Sequence, residues 1–398
     1  MAYPALPIPR EEEWPFDPPP EYAELRATSR VVRVACPTGI DAWLVSDYAG
    51  VREVLGDGRR FSVQPGTASH VLHGFDPEAP PRSFTQMDGP EHIRIRRNFA
   101  PQVTHTRRLS ELSPLVEQIT EDAIDRMLAS PQPYPLHSQF STAITTDVIA
   151  ELIGVPPDQR HLMRDAASAL FTGSTTPTEL EAALEPLFGY LYQAVASRRD
   201  EPGDDVLSRM IVHSRDAERP LTDAELTTMN GALLIAGFDT TASMITYGLV
   251  ALLSTPGQWD RLVADPSLVA SATEELVRYL GVGLGLLRRA TVDTELGGQP
   301  IKAGDYVVAA VQSGNRDKSL YPDADVLDVA RKPGAHLGFG HGAHACVGQQ
   351  IARMELTTVL GALARRVPSL RIATPLEEIA WKHDTPVRGP VELPVVWQ

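Results

Sequence analysis

Apolar residues recur at three- and four-residue spacing along most of the chain between residues 91 and 278. This spacing predicts amphipathic helices, for example in LSPLVEQITEDAIDRML and AITTDVIAELIG. The first 75 residues contain two short runs typical of strands, VVRVACP and AWLVSD, followed by a helical stretch. Strand signals return after residue 290, where Gly297 and Gly298 predict a hairpin turn. The pattern predicts a mainly α fold with a smaller β portion.

The distribution of proline predicts how the chain is organised. Residues 1–20 are rich in proline and lack helical or strand periodicity. No repeat of fixed period and no long low-complexity run is visible in the sequence. We therefore predict an irregular N-terminal segment over residues 1–20 and a single domain over residues 21–398.

The longest predicted helix has a clear start and end. Thr222 and Glu225 have the spacing of a capping box, and the apolar pattern then runs to about Ser254. Roughly 32 residues at about 1.5 Å each would extend on the order of 48 Å, the diameter of a domain. Because Asp239 and several threonine and serine residues interrupt this apolar stretch, we expect it to be a buried central helix rather than a membrane span. Asp239 and Thr240 form a polar pair at its midpoint.

Composition excludes several classes of protein. The 398 residues have a net charge of −15, which argues against a nucleic-acid-binding protein. Two cysteines, Cys36 and Cys346, cannot form a disulfide framework and indicate a reducing compartment. The first 20 residues lack the cationic and apolar regions of a secretory signal. We therefore expect a cytoplasmic protein without a membrane anchor.

The segment HLGFGHGAHACVGQQIARMEL, residues 336–356, contains the strongest chemical signal. Cys346 directly precedes a long amphipathic helix, whose free N–H groups and dipole favour a thiolate. A thiolate held in this way is suited to bind haem iron. Two alternatives are a buried apolar cysteine and a zinc site with His336, His341 and His344. The zinc alternative lacks the usual paired cysteine.

Three other pairs of polar side chains are candidates for a function. His92 and Arg96 lie four residues apart, so they can contact one anion or form a solvated basic face. Glu275 and Arg278 lie three residues apart, which is the spacing of an ordinary ion pair. At the middle of the long helix, the threonine can bond back to a carbonyl and the aspartate can pair with a cation. The functional alternative there is an acid–alcohol pair that relays protons.

Together these segments resemble the cytochrome P-450 monooxygenases. Residues 339–348 resemble the family's haem-binding signature Phe-x-x-Gly-x-His/Arg-x-Cys-x-Gly, in which the glycines are Gly342 and Gly348. Other matching segments are EELVR at 274–278, AGFDTT at 236–241, DGPEHIRIRR at 88–97 and NRDKSLYPDADVLDVAR at 315–331. The resemblance extends over roughly residues 20–398, and is greatest to the soluble actinobacterial enzymes of secondary metabolism.

This resemblance implies a haem b cofactor with Cys346 as its axial ligand. It implies that the haem propionates contact His92, Arg96, Arg288 and His344; Arg288 is chosen over its neighbour because it lies two residues before an alanine. It also implies a buried network of Glu275, Arg278 and Arg331 that supports the cysteine loop. Asp239 and Thr240 become the proton-relay pair, and the substrate pocket is expected to include Met87, Ala232, Ile235, Ala236 and Leu284.

The resemblance implies a soluble monooxygenase that inserts one oxygen atom from O₂ into an apolar organic substrate, by hydroxylation or epoxidation in bacterial secondary metabolism. One alternative is a family member that couples C–C or C–O bonds by radical chemistry without inserting oxygen. Another is a non-catalytic haem-thiolate binding protein, against which the proton-relay pair argues. We expect a ferredoxin and a ferredoxin reductase as electron donors, with docking around Arg107, Arg108 and Arg353. No nucleic-acid or membrane partner is expected.

Overall fold

The computed structural model describes residues 5–6, 15–36, 39–63, 83–171, 175–283, 285–382, 385 and 387–397. Most of this part of the chain is helical, which confirms the predicted mainly α fold. Its α-helices are α1 (Glu21–Thr28), α2 (Tyr48–Gly56), α3 (Gly89–Thr104), α4 (Thr106–Leu128), α5 (Thr142–Ile153), α6 (Arg160–Phe171), α7 (Pro177–Asp200), α8 (Val206–Ser214), α9 (Asp223–Ser254), α10 (Gln258–Ala264), α11 (Val269–Leu280), α12 (Val311–Gly314) and α13 (Gln349–Arg366).

The described residues form three small sheets. Their strands are β1 (Val31–Ala35), β2 (Asp41–Val45), β3 (Phe61–Ser62), β4 (Tyr134–Pro135), β5 (Leu286–Ala290), β6 (Thr294–Leu296), β7 (Gln299–Ile301), β8 (Tyr306–Ala309), β9 (Arg371–Ile372) and β10 (Pro394–Val396). A five-stranded sheet has the order β1-β2-β8-β5-β3, in which β2 and β8 are parallel and the other neighbours are antiparallel. A second sheet has the order β4-β10-β9, and β6 and β7 form the predicted hairpin.

The predicted hairpin turn has a local cause. Gly297 and Gly298 have φ angles of +55° and +80°, a left-handed conformation that favours glycine. A β carbon on Gly297 would also lie 2.7 Å from the Val31 side chain. Both backbone conformation and space therefore require glycine at the first turn position.

Helix α9 is the central helix that the sequence predicts. Its capping box is formed: the backbone N–H of Glu225 donates to Thr222 Oγ1 at 3.2 Å, and the Thr222 N–H donates to the glutamate at 2.8 Å. The helix packs against α5, α7 and α13, among others. It is long and apolar enough to cross a membrane, but 78% of its most apolar window is buried inside the protein. This burial is typical of a core helix.

One narrow stripe of α9 is not fully covered. Ala236 is exposed, and Ala232 and Thr240 are half-buried, although their neighbours along the helix are largely buried. Residues four apart lie on one face of a helix. The central helix therefore presents a stripe of small and polar side chains at its midpoint.

The described end of the irregular N-terminal segment is packed into the core. Phe16 is fully buried and lies against the rings of Tyr247 and Trp381, with centroid distances of 5.7 and 6.1 Å. Tyr247 Oη donates to the carbonyl of Pro15 at 2.7 Å. The buried Arg316 donates to the carbonyl of Phe16 at 3.2 Å. Residues 15–16 therefore share one hydrophobic core with the central helix.

Candidate active site

Cys346 lies in the loop that leads into α13. Its backbone N–H donates to the carbonyl of Phe339 at 2.8 Å, which closes the loop. Part of the Cys346 surface is accessible to solvent, although many protein atoms lie close around the thiol. This crowding raises the pKa of the Cys346 thiol, while N–H groups of Gly348 and Gln349 and the nearby Arg96 oppose the rise. The sulfur therefore lies at a helix N-terminus with donors directed at it, as the sequence predicts.

Glycines shape this loop for two different reasons. Gly342 has φ of +75°, and a β carbon there would lie 2.5 Å from the carbonyl oxygen of Leu55. The predicted tight turn at Gly342 is therefore required by the packing of the loop against α2. Gly348 has φ of −82°, and a β carbon there would meet no described protein atom within 4 Å. Protein contacts alone do not explain the second glycine.

The network expected to support the loop is present. Arg278 donates to both oxygens of Glu275 at 2.7 and 2.9 Å, and Arg331 donates to the same carboxylate at 3.0 Å. Both Glu275 and Arg278 are buried. Arg278 also donates to the carbonyls of Asn315 and Ala324 at 2.9 and 2.8 Å. The network thus connects α11 to the chain that precedes the cysteine loop.

A second carboxylate connects α11 to the loop itself, and the sequence reasoning missed it. Glu274 accepts hydrogen bonds from Arg353 on α13 at 2.6 Å and from His336 in the loop at 2.9 Å. Burial works against ionisation, but these partners lower the pKa of Glu274 to about 2. Arg353 also lies 4.3 Å from the ring centroid of Phe339. Glu274 therefore braces both ends of the cysteine loop.

The structure brings together residues that the sequence places on three separate elements. His92 and Arg96 lie on α3, Arg288 lies on β5, and His344 lies two residues before the cysteine. The rings of His92 and His344 are stacked, with centroids 4.2 Å apart. Arg96 donates to the carbonyl of Ala345 at 2.6 Å. His92, Arg96 and His344 thus meet at the loop that contains the cysteine, and Arg288 is near enough to be influenced by the charge of Asp88.

Two groups of this cluster lack the partners that buried polar atoms usually have. His92 is buried, and its Nε2 has no hydrogen-bond partner among the described residues. Burial lowers the pKa of Arg288 to about 10, and no salt bridge within the described ranges includes it. Its guanidinium donates to the carbonyl of the preceding Leu287 at 2.8 Å. A buried cation is costly unless an anion is close. The cluster therefore suits an anionic ligand.

Asp88 is a further member that the sequence reasoning did not single out. Its carboxylate accepts hydrogen bonds from Ser62 Oγ at 2.5 Å, the Val63 N–H at 2.9 Å and His344 Nε2 at 3.1 Å. Burial works against ionisation, yet these donors lower the pKa of Asp88. Its position just before α3, ahead of Gly-Pro, is a helix-start signal that could have found it. Asp88 holds His344 in place.

The histidines of the loop do not form a zinc site in the described part of the chain. His336 bonds to Glu274, His344 bonds to Asp88, and His341 accepts from Arg52 at 3.2 Å. No metal-binding group of three histidine, cysteine or acidic side chains is found among the described residues. The three histidines are directed to three different partners.

The other cysteine has a different environment. Cys36 follows β1 and belongs to a small buried apolar cluster. Burial, together with the nearby Asp41, raises the pKa of Cys36 to about 11. Its thiol is therefore protonated at neutral pH, as expected for a core residue.

The polar pair on α9 has well-defined contacts. Thr240 Oγ1 donates to the carbonyl of Ala236 at 2.6 Å. Asp239 Oδ1 accepts from Lys382 Nζ at 3.1 Å, and its Oδ2 is buried without a partner among the described residues. Lys382 also donates to Ser243 Oγ at 3.0 Å. A back-bonded threonine and a paired aspartate are also the contacts that a purely structural role would produce. Lys382 is a partner that no local sequence signal identifies.

The residues expected in the substrate pocket have different environments. Ala236 and Ala232 lie on the uncovered stripe of α9, whereas Ile235 is buried in the main core. Met87 is half-buried and follows a short 3₁₀ turn, Phe84–Gln86. Leu284 lies outside the described residues. Among the described members, Ala236 is thus the most accessible.

Comparison with known proteins assigns the family. Residues 160–367 match the family model for cytochrome P-450. Nocardicin C N-oxygenase of Nocardia uniformis subsp. tsuyamanensis is 39% identical over 394 residues, which are 96% of this chain and 98% of that protein. Mycinamicin IV hydroxylase/epoxidase of Micromonospora griseorubida is 39% identical over 379 residues, 94% of each chain. This chain belongs to the cytochrome P-450 family.

Solved structures of cytochromes P-450 confirm the predicted fold. CYP105P1 in complex with filipin I superposes with a TM-score of 0.92 at 39% identity, over 100% of this chain and 99% of that chain. Streptomyces peucetius CYP105P2 in complex with a biphenyl compound gives a TM-score of 0.91 at 39% identity, over 100% of both chains. The predictions of a haem-thiolate cofactor and of a monooxygenase are confirmed by this membership. As a cytochrome P-450 monooxygenase, the protein uses redox partners and organic substrates.

The residues described above fit the haem group of a cytochrome P-450. An accessible sulfur with two N–H groups directed at it suits a metal-bound thiolate. The orphaned Nε2 of His92 and the guanidinium of Arg288, which forms no described salt bridge, suit carboxylates, and arginine can bind them bidentately. No described protein atom requires glycine at position 348, and the lack of a side chain there leaves open space beside the cysteine loop.

Proposed function

We propose that Cys346 is the axial thiolate of this cytochrome P-450. The observation that supports it is the accessible sulfur at the N-terminus of α13, with the N–H groups of Gly348 and Gln349 directed at it. Hydrogen bonds to a thiolate stabilise its charge and modulate its electron donation. Glu274 and the network of Glu275 and Arg278 hold the loop at a fixed distance from α11.

His92, Arg96, Arg288 and His344 would hold the two propionates. His92 offers an Nε2 atom without a described protein partner, Arg288 offers a buried guanidinium that forms no described salt bridge, and Asp88 fixes the ring of His344. Positive charge from the arginines balances the carboxylates, so their burial becomes less costly. The bound haem supplies the sites for O₂ binding and for electron transfer.

Asp239 and Thr240 would deliver protons during the reaction. The Oγ1 atom of Thr240 lies on the uncovered stripe of α9, where it can hold a water molecule. The partnerless Oδ2 of Asp239 can take up a proton from water and pass it on toward that hydroxyl. A positioned proton donor is typically worth about 10²–10⁴-fold in rate. The adjacent placement of the two side chains supports this division of roles.

The substrate would be an apolar organic molecule that is hydroxylated or epoxidised in secondary metabolism. Ala232 and Ala236 leave room beside Thr240, and the half-buried Met87 and the expected pocket residues Ile235 and Leu284 are apolar. Relatives named as an N-oxygenase and as a hydroxylase/epoxidase support oxygen insertion. The family alternative, radical coupling of C–C or C–O bonds, would leave no oxygen in the product.

Electrons would come from a ferredoxin and its reductase, in the cytoplasm. The three arginines expected at the docking face are already occupied by protein partners. Arg107 and Arg108 donate to Glu111 at 3.1 and 3.3 Å, and Arg353 donates to Glu274. Of these, Arg107 is largely exposed, with 85% of its side chain accessible. Of the three arginines expected to contact the ferredoxin, we therefore retain only Arg107, because its side chain remains accessible despite its bond to Glu111.

A labelled-oxygen experiment tests the proposed reaction. The protein would be supplied with surrogate ferredoxin partners, NADPH and ¹⁸O₂, and a library would first be screened for compounds that shift the haem spectrum. The product should contain one ¹⁸O atom per molecule. An unlabelled product of the mass of a coupled substrate would favour radical coupling. Failure of every spectrum-shifting compound to react would favour a non-catalytic binding protein.

A further inference from the structure

The carboxylate of Asp239 has two unlike oxygen atoms. Oδ1 accepts a hydrogen bond from Lys382 Nζ at 3.1 Å, whereas Oδ2 is buried and has no partner within the described residues. The two side chains are 13% and 16% exposed, so this ion pair is mostly shielded from solvent. With one oxygen bonded, the carboxylate cannot rotate freely, and the direction of the other oxygen is fixed.

Lys382 is itself held by its surroundings. Its backbone N–H donates to the carbonyl of Gly389 at 3.0 Å, and its ammonium also donates to Ser243 Oγ at 3.0 Å. The preceding residue, Trp381, packs edge-on against Tyr247 of α9 with ring centroids 5.6 Å apart. A lysine is flexible when it is free. These contacts determine where its charge lies.

We propose that Lys382 is a positioning residue for proton supply to the active site. Its ammonium holds Oδ1 of Asp239, so that Oδ2 stays available to bind a proton from water and release it toward Thr240. Lys382 keeps its own protons throughout, and no electron moves in this step. The proposal rests on the proton-delivery role proposed above for Asp239 and Thr240.

A structural role alone predicts a different outcome. A buried ion pair is weak evidence for stability, because the loss of hydration offsets much of the attraction. If the pair only fastened the C-terminal segment to α9, then removing Lys382 would lower the unfolding temperature or the haem content. Removing Lys382 would then leave the solvent isotope effect on NADPH consumption unchanged.

The test compares Lys382→Met, Lys382→Arg and Asp239→Asn in the haem-loaded protein. As a matched control, Lys302→Met removes a lysine that is 70% exposed and pairs with Asp293. NADPH consumption with substrate and surrogate ferredoxin partners is measured in H₂O and in D₂O. The unfolding temperature, haem content and CO-bound spectrum are recorded for every variant.

We expect Lys382→Met to slow NADPH consumption about 10-fold, less than loss of a proton donor itself, and to enlarge the solvent isotope effect. Lys382→Arg should restore the rate to within about threefold, because it keeps the charge and a donor. Lys302→Met should match the unaltered protein. In the Asp239→Asn background, Lys382→Met should add no further slowing, because coupled residues are not additive.

Two failures can be told apart. If Asp239→Asn leaves the rate and the isotope effect unchanged, the proton-delivery role fails, and the role of Lys382 fails with it. If Asp239→Asn slows the reaction but Lys382→Met does not, only the proposal for Lys382 is overturned. Should Lys382→Met lose haem, the arginine variant decides: Lys382→Arg that keeps its haem but consumes NADPH about 10-fold more slowly contradicts positioning. If Lys382→Met keeps its haem, full additional slowing in the double variant contradicts positioning.

Discussion

The imidazole rings of His92 and His344 are stacked, with centroids 4.2 Å apart and planes inclined by 26°. One ring belongs to α3 and the other to the loop before α13. Burial, His344 and Arg96 lower the pKa of His92 to about 4, so this ring is neutral at pH 7. The stack therefore consists of a neutral ring with an unused Nε2 and a second ring fixed by Asp88. This arrangement suits the propionate that we propose the two histidines hold.

His92→Phe separates stacking from hydrogen bonding in this pair. Phenylalanine keeps an aromatic ring beside His344 but removes the Nε2 donor. Loss of a hydrogen bond to a charged group costs about 1.5–3 kcal/mol, so haem should dissociate about 10- to 100-fold faster. Transfer of haem to an excess of apomyoglobin measures this rate. Ile93→Ala, at a residue that is 52% exposed on the same helix, is the control. Equal rates in the two variants would show that His92 does not bind a propionate.

The two cysteines should differ in the spectrum of the reduced, CO-bound protein. Cys346→Ala should lose the long-wavelength band of thiolate-ligated haem, because the other cysteine of the chain lies in a separate apolar cluster. Cys36→Ala should keep the band, since Cys36 is buried in another cluster with its pKa raised to about 11. An absorption spectrum after dithionite and CO decides between them. If only the Cys36 variant lost the band, the axial ligand would be Cys36 and not Cys346.

Thr240→Ala should redirect electrons rather than unfold the protein. The threonine hydroxyl bonds only to the carbonyl of Ala236 in its own helix among the described contacts, so the alanine variant keeps the fold. NADPH consumption should continue while hydrogen peroxide replaces product, because proton delivery is less well directed. Asp239→Asn should instead slow the whole cycle. Peroxide and product are measured against NADPH consumed. Full coupling in Thr240→Ala would remove this residue from proton delivery.

A buried histidine remote from the predicted propionate cluster should make stability depend on pH. Burial, with a smaller effect of Lys382, lowers the pKa of His137 to about 4, against the partial opposition of Asp239 and Glu392. Its Nδ1 lies 2.9 Å from Thr246 Oγ1. The unfolded chain therefore binds a proton near pH 6.5 that the folded chain binds only near pH 4. Stability is complete above pH 6.5 and declines as the pH falls toward 4.

His137→Gln should remove this part of the pH dependence. Between pH 7.5 and pH 5 the unaltered protein should lose about 2 kcal/mol more free energy of unfolding than the variant. Urea unfolding of the haem-loaded proteins at the two pH values measures the difference. Parallel losses in the two proteins would show that His137 is protonated to the same extent in the folded and unfolded states.

Local signals in the sequence predicted those features that local physics determines. The capping box at Thr222 and Glu225 predicts the start of α9, because the two side chains bond to backbone groups within one turn. Gly342 marks a tight turn because its φ is positive. The cysteine before a helix was likewise visible as a short pattern. These signals need no knowledge of distant parts of the chain.

Partners far apart in the sequence could not be predicted in this way. Lys382 is 143 residues from Asp239, and His344 is 256 residues from Asp88. No periodicity connects such positions, so only the folded chain shows that they meet. The same limit applies to Arg353, which the sequence suggested as a docking residue. Its partner Glu274 lies 79 residues away in the sequence, so the ion pair between them could not be predicted. Charge in a sequence does not show whether that charge is free.

The buried position of Phe16 has a consequence for biosynthesis. Chains are synthesised from the N-terminus, so this aromatic ring leaves the ribosome before the groups that enclose it. Two of those groups, Arg316 and Trp381, follow Phe16 by about 300 residues or more. The ring therefore has to stay without these partners while the intervening chain is made. Closure of this part of the core comes late in synthesis, and until then Phe16 is an apolar surface that a chaperone could cover.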